Sequence, residues 1–167
     1  MAFELTHRRS FLAGAAIAAA TPVLVSCGIT PAEAKRKNFR YKLTDAQWRR
    51  KLTKLEYYVL RQEGTERAWT SRLNKEKRRG TYKCAGCGNA IYSSAHKYDS
   101  RSGWPAFYKP IRRGAVGTSV DRKLGYARTE VHCSNCGGHL GHIFGDGPKP
   151  TGKRHCINGV AMDFIRA

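Results

Sequence analysis

Six cysteines stand at positions 27, 84, 87, 133, 136 and 156. Four of them form two Cys-x-x-Cys knuckles, Cys84-Ala85-Gly86-Cys87 and Cys133-Ser134-Asn135-Cys136, with 45 residues between. A two-residue gap lets each pair grip one ion from a tight turn, so the spacing suits four thiolates at about 2.3 Å around one Zn²⁺. Such a shell has no open position for water, which makes the expected zinc structural. The competing reading is a pair of disulfides, favoured if the protein works in an oxidising compartment.

With Cys27 in an N-terminal leader, Cys156 is the one free thiol. In Lys153-Arg154-His155-Cys156-Ile157-Asn158, strand alternation would put Arg154, Cys156 and Asn158 on one face. A guanidinium beside the sulfur lowers the thiol pKa and favours the nucleophilic thiolate. The alternative is a buried, inert cysteine, a common fate of that residue. His139-Leu140-Gly141-His142 has the wrong spacing for two ligands on one strand face, and acid or orienting roles fit these histidines better. Ser102-Gly103-Trp104-Pro105-Ala106-Phe107 reads as a rigid aromatic loop able to hold a small apolar group. Either segment could also be plain packing.

The elements that would position these residues differ along the chain. Thr44-Asp45-Ala46-Gln47 and Thr53-Lys54-Leu55-Glu56 are two capping boxes in succession, with Leu43 and Leu52 placed to staple the helix starts and Gly64 a natural stop. Two short helices are expected, with Trp48, Leu52, Leu55, Tyr58 and Val59 packing and the arginines forming a solvated face. From Gly80 onward short β-branched and aromatic runs alternate with glycine-rich turns: 81–83, 90–92, 115–120, 126–132, 138–144 and 154–164. No helix-length segment separates them, so βαβ units are excluded. The expected fold is mainly β (α+β): antiparallel sheets with a short N-terminal helical cap and a structural zinc tetrathiolate.

The chain has 167 residues, 41% of them hydrophobic, enough for one core and too apolar for disorder. Lys and Arg number 31 against 12 Asp and Glu, giving +19, with the excess concentrated ahead of the cysteines. Such charge suits nucleic acid, an anionic surface or acidic partners without choosing among them. Residues 1–34 read as an export signal: Arg8-Arg9 precede an apolar run from Phe11 to Val25, too short and Pro-interrupted for a permanent transmembrane helix. The arginine pair resembles a twin-arginine signal. Ala32-x-Ala34 suits cleavage after Ala34, whereas Leu24-Val25-Ser26-Cys27 resembles a lipobox and would make a lipoprotein acylated on Cys27. Residues 35–41 are then a basic linker and 42–167 the domain, with the bacterial periplasm the expected location. Export of an already folded protein would also let a zinc site load in the reducing cytosol.

Taken in order, Tyr82 to Asn89, Gly103 to Phe107, Cys133 to Cys136, His139 to Phe144, Asp146-Gly147-Pro148 and Arg154 to Asn158 resemble the type B methionine sulfoxide reductases across about residues 42–165. The resemblance implies two antiparallel sheets with a zinc tetrathiolate at Cys84, Cys87, Cys133 and Cys136 away from the active site, and reduction of the R epimer of methionine sulfoxide in oxidised proteins. It makes Cys156 the nucleophile, oxidised to a sulfenic acid. His139, His142 and Asn158 would polarise the sulfoxide oxygen, Trp104 and Phe144 would enclose the S-methyl, and Arg154 would favour the thiolate. Ser102 stands where many members carry a resolving cysteine, so recycling is expected to pass to an external thiol or a thioredoxin-like reductant acting on a monomer. Two rivals remain: a basic zinc ribbon binding nucleic acid, which an export signal and the 45-residue gap disfavour, and a Cys-x-x-Cys thiol-disulfide oxidoreductase.

Overall fold

Thr44 and Thr53 each accept from the backbone N–H three residues on, while Gln47 and Glu56 reach back to the cap, so both capping boxes close as expected. They start helices α1 (Asp45–Lys51) and α2 (Lys54–Gln62) of the computed structural model, which describes residues 39–167. The export signal, its alternative cleavage points and Cys27 lie outside the described residues. Among the described residues no helix is long and apolar enough to cross a membrane.

The helices bury a different set of side chains from the expected one. Trp48, Leu52 and Val59 are buried, but Leu55 and Tyr58 are 47% and 46% exposed, and Tyr57 and Leu60 fill the core in their place. At the end of α2 Glu63, not Gly64, takes the left-handed conformation, and Gly64 packs under the Tyr58 ring. The arginines are not simply solvated: Arg61 lies 4.5 Å over the Trp48 ring and donates to the Cys136 carbonyl, tying α2 to the second knuckle.

Nine strands follow: β1 (Gly80–Cys84), β2 (Ala90–Ser93), β3 (Lys97–Tyr98), β4 (Ala106–Phe107), β5 (Val116–Asp121), β6 (Arg128–Cys133), β7 (His139–Phe144), β8 (Arg154–Ile157) and β9 (Met162–Arg166). All pair antiparallel, in a three-stranded sheet ordered β2-β1-β9 and a six-stranded sheet ordered β3-β4-β8-β7-β6-β5. Two antiparallel sheets with a helical cap is the expected class. The run 154–164, expected as one strand, is broken by a 3-10 turn at Gly159–Ala161 that sends its halves into different sheets. The loop carrying Trp104 ends as strand β4, whose Ala106 pairs with Cys156. Between the sheets and helices the core holds Tyr82, Ile91, Tyr92, Phe107, Val131, Leu140 and Ile157 with Trp48, Val59 and Leu60.

Candidate active site

Register across the large sheet assembles one row of side chains from four strands. Ser119 faces Glu130, Glu130 faces His142, and His142 faces Cys156. Directly paired residues share a face, so these four line one side of the sheet, with Asp121, Arg128, Phe144 and Arg154 two residues along on the same side. His155 and Ile157 point the other way into the core, where the His155 ring meets the Tyr92 hydroxyl at 3.0 Å and burial pulls its pKa down to about 4.

The expectation that His139 and His142 could not share a strand face is overturned. The register of β6 against β7 slips between Val131 and His132, inserting one extra residue in β7. A bulge of this kind brings residues three apart to one side, and the two imidazoles meet edge to face with centroids 5.3 Å apart. Gly141 sits in the bulge against β8, and any Cβ there would run into the Cys156 carbonyl.

Cys156 lines a pocket of about 140 Å³ together with Thr65, Trp104, Arg128, Gly141, His142, Phe144 and Asn158. Burial pushes its thiol up from the usual value, against Ser102 and Arg154, which both act to lower it. Arg154 thus works in the expected direction but does not prevail. Its guanidinium is held in a two-pronged pair with Asp146 (2.9 and 2.8 Å) and lies 4.4 Å over the Phe144 ring. Ser102 Oγ is 3.7 Å from Cys156 Sγ and 2.8 Å from Ser100 Oγ, so a hydroxyl pair occupies the place expected for a resolving thiol.

Both histidines are oriented by carboxylates, the half-buried Asp121 and the buried Glu130. An ionised carboxylate can only accept, so His142 Nε2–H donates to Asp121 (2.8 Å) and Nδ1 is left as the lone-pair nitrogen of the neutral ring. Burial raises Asp121, but the Lys123 backbone N–H, His142 and Arg128 outweigh it and hold the carboxyl at about 2. Burial lowers His142 below its ordinary value, more than Asp121 raises it. Likewise His139 Nδ1 is 3.0 Å from Glu130, whose carboxyl is raised by burial yet held far below the usual range by His132, His139 and Ser119. His139 is fully buried and outside the pocket lining, and among the described residues its Nε2 has no hydrogen-bond partner.

Asn158 and Trp104 are fastened by a residue that sequence reasoning passed over. Glu66 donates its backbone N–H to Asn158 Oδ1 (2.9 Å), accepts the Trp104 indole N–H on its carbonyl (3.1 Å), and takes the N–H groups of Gly159 and Val160 on its carboxylate. Asn158 Nδ2 donates to the Leu140 carbonyl at 3.0 Å, so its amide links the 64–67 segment to β7. Asp121, Arg128 and Glu130 were missed as well. Their signal was faint, since a charged residue in a short strand reads as an exposed one.

Away from Cys156, the four knuckle cysteines converge with all sulfurs within 4.8 Å of one another, and they are the only such cluster among the described residues. Cys84–Cys136 and Cys87–Cys133 are 3.7 and 3.6 Å apart. Four sulfurs at about 2.3 Å around a tetrahedral ion would be about 3.8 Å apart, so the set fits a metal of that size. All five described cysteines are free, and the closest knuckle sulfurs stand at metal-shell rather than disulfide separation. Gly88 and Gly137 close the two turns in the left-handed region, donating to the Cys84 and Cys133 carbonyls at 2.7 and 2.8 Å.

Residues 52–166 match the SelR domain family. The chain is 50% identical over 127 residues to the peptide methionine sulfoxide reductase MsrB of Leptospira interrogans, covering 76% of this chain and 97% of that protein. The protein of the same name from Leifsonia xyli is 48% identical over 133 residues, covering 79% and 96%. Mouse methionine-R-sulfoxide reductase B3, mitochondrial, is 42% identical over 143 residues, covering 85% of this chain and 56% of that protein.

Proposed function

Since the chain belongs to the SelR-domain family of type B methionine sulfoxide reductases, we propose that it reduces the R epimer of methionine sulfoxide in oxidised polypeptides with Cys156 as nucleophile, as a repair enzyme. The observation that carries this reading is the 140 Å³ pocket with a thiol beside an indole, a phenyl ring and an oriented imidazole. Its volume suits a methyl sulfoxide group, and the name of the mouse relative specifies the R form.

In the reaction the sulfur–oxygen bond of the sulfoxide breaks and the oxygen is transferred to Cys156 Sγ. Two electrons leave Cys156 and reduce the substrate to methionine, and the thiol proton ends on the new sulfenic acid. The raised thiol pKa means that Cys156 brings this proton with it. His142, with Nε2–H on Asp121, has Nδ1 available to take that proton and return it to the sulfoxide oxygen as charge develops there. Trp104 and Phe144 supply apolar walls for the S-methyl, Asn158 lines the wall behind the oxygen, and His139 backs the His142 ring from outside the pocket. Two external thiols then convert the sulfenic acid back to Cys156, releasing water and a disulfide. Ser102 and the absence of another described free cysteine outside the knuckles support external recycling.

The tetrathiolate would hold Zn²⁺ as a structural ion, supplying folding energy and no chemistry at Cys156. Periplasmic location, by way of the Arg8-Arg9 signal, is part of the same proposal and agrees with an enzyme that meets oxidant outside the cytoplasm.

The test is single-turnover reaction with resolved R- and S-methionine sulfoxide peptides. The R form should yield one methionine per enzyme and a protein about 16 Da heavier, and Cys156→Ser should yield none. Turnover of the S form alone, or a Cys156→Ser enzyme that still reacts, overturns the reading.

A further inference from the structure

Trp69 is a large aromatic left 67% exposed. Its backbone is held at φ 69, a region that a bulky side chain enters only at a cost on the order of 1–3 kcal/mol. A turn keeps it there: Thr70 donates its hydroxyl to the Arg67 carbonyl at 2.6 Å, and Trp69 N–H donates to the Gly103 carbonyl at 2.8 Å. The indole lies on Gly103, where an added Cβ would be 3.1 Å from Trp69 Nε1 and 2.8 Å from the Ala68 Cβ. On either side of that glycine, Ser102 reaches Cys156 and Trp104 lines the pocket. A strained, solvent-facing indole is therefore fixed against the segment that walls the thiol.

We propose that Trp69 is a platform on the pocket rim, on which an apolar side chain adjacent to the methionine sulfoxide in an unfolded substrate polypeptide stacks. The inference rests on the pocket being the sulfoxide site. A polypeptide with its sulfoxide in a pocket of this size must lead its backbone out over the rim, and the next side chain lies at most about 3.3–3.6 Å further along the chain. Methionine in folded proteins sits among apolar neighbours, and its oxidation disrupts that packing and exposes them. The rim thus favours a sulfoxide with apolar neighbours over one with small or polar ones. Aromatic pairs of this kind account for about 3- to 10-fold in affinity.

The experiment uses the metal-loaded enzyme with three R-sulfoxide substrates: a blocked pentapeptide with phenylalanine on both sides, one with glycine on both sides, and N-acetyl methionine sulfoxide. The variants are Trp69→Gly, which fits the left-handed backbone and so keeps the fold, and Trp69→Phe, which keeps an aromatic face. Trp69→Gly should raise KM about 3- to 10-fold on the phenylalanine peptide with kcat unchanged, and leave the other two substrates as they were. Trp69→Phe should retain most of the preference. A wild-type enzyme blind to the flanks, or a Trp69→Gly loss equal on all three substrates, overturns the proposal. Wild-type inactivity on N-acetyl methionine R-sulfoxide would overturn the sulfoxide reading itself, and the rim proposal with it.

Discussion

Replacing Glu66 probes whether one buried carboxylate holds the pocket together. Its residue is 4% exposed, and it accepts two backbone N–H groups at the start of the Gly159–Ala161 turn, next to Asn158. In Glu66→Ala both donors lose their partner at about 1–3 kcal/mol each, so the loss should be about 2–4 kcal/mol after allowing for partial hydration of Val160. For a domain of this size that lowers Tm by roughly 6–20 °C. Glu66→Gln keeps the shape but turns an NH₂ toward one of the donors, and should cost about 1–3 kcal/mol. The pH dependence has a definite sign. Burial raises the carboxyl above its ordinary 4.5, so the folded state binds its proton more tightly than the unfolded one. The advantage of the native Glu66 over the Glu66→Gln variant is therefore largest in acid and shrinks as pH rises from about 4.5 through the raised folded value. Urea unfolding of the metal-loaded proteins between pH 4 and 8 measures this, with kcat alongside. A displaced Asn158 and Trp104 should lower kcat by about 10- to 100-fold in Glu66→Ala. Unchanged unfolding midpoints in both variants would refute the reasoning, as would a gap between native and Glu66→Gln proteins that widens with pH.

The bulge glycine gives a second prediction. Gly141→Ala should force β7 from β8 at the Cys156 carbonyl, costing about 1–3 kcal/mol and most of the activity, with both seen in one preparation by urea titration and assay. For the thiol, iodoacetamide alkylation of Cys156 should still be accelerating at its ordinary pKa of 9.0, and Ser102→Ala should move the curve further up; a plateau by pH 7 would contradict the dominance of burial. Cys133→Ser should give metal-free protein that fails to fold, since structural zinc in isolated finger peptides contributes about 10–16 kcal/mol. Metal analysis and circular dichroism would expose the error if the variant kept its fold without an ion.

Local chemistry in the sequence accounted for much of the fold. Both capping boxes were legible because a cap needs residues only three apart, and Thr44 with Gln47 and Thr53 with Glu56 carry the whole signal. The knuckles were legible for the same reason. The buried face of α2 was not, because the choice between the adjacent Tyr57 and Tyr58 is made by the long-range partners on which the helix packs, β7 and the Gly159–Ala161 turn. Strands β3 and β4 were invisible: two residues each carry no alternation, and they exist only because β8 and the turns around them present partners.

The site divides along the same line. Cys156, His142, Trp104, Phe144 and Asn158 could be named from sequence and do converge on one pocket. What could not be read was most of what orients them, since these contacts are long-range: Asp121 to His142 spans 21 residues, Trp104 to Glu66 spans 38, and Glu66 to Asn158 spans 92. The histidine spacing shows why. Strict two-residue alternation separates His139 from His142, and it is the slip of β6 against β7 that reunites them. That slip has a steric basis in Gly141, the one residue in β7 that can lie against the Cys156 carbonyl. A strand of regular pleat would turn one of the two histidines to the opposite face, so the irregularity in β7 is a condition for backing His142, which lines the pocket with the thiol, with a second imidazole.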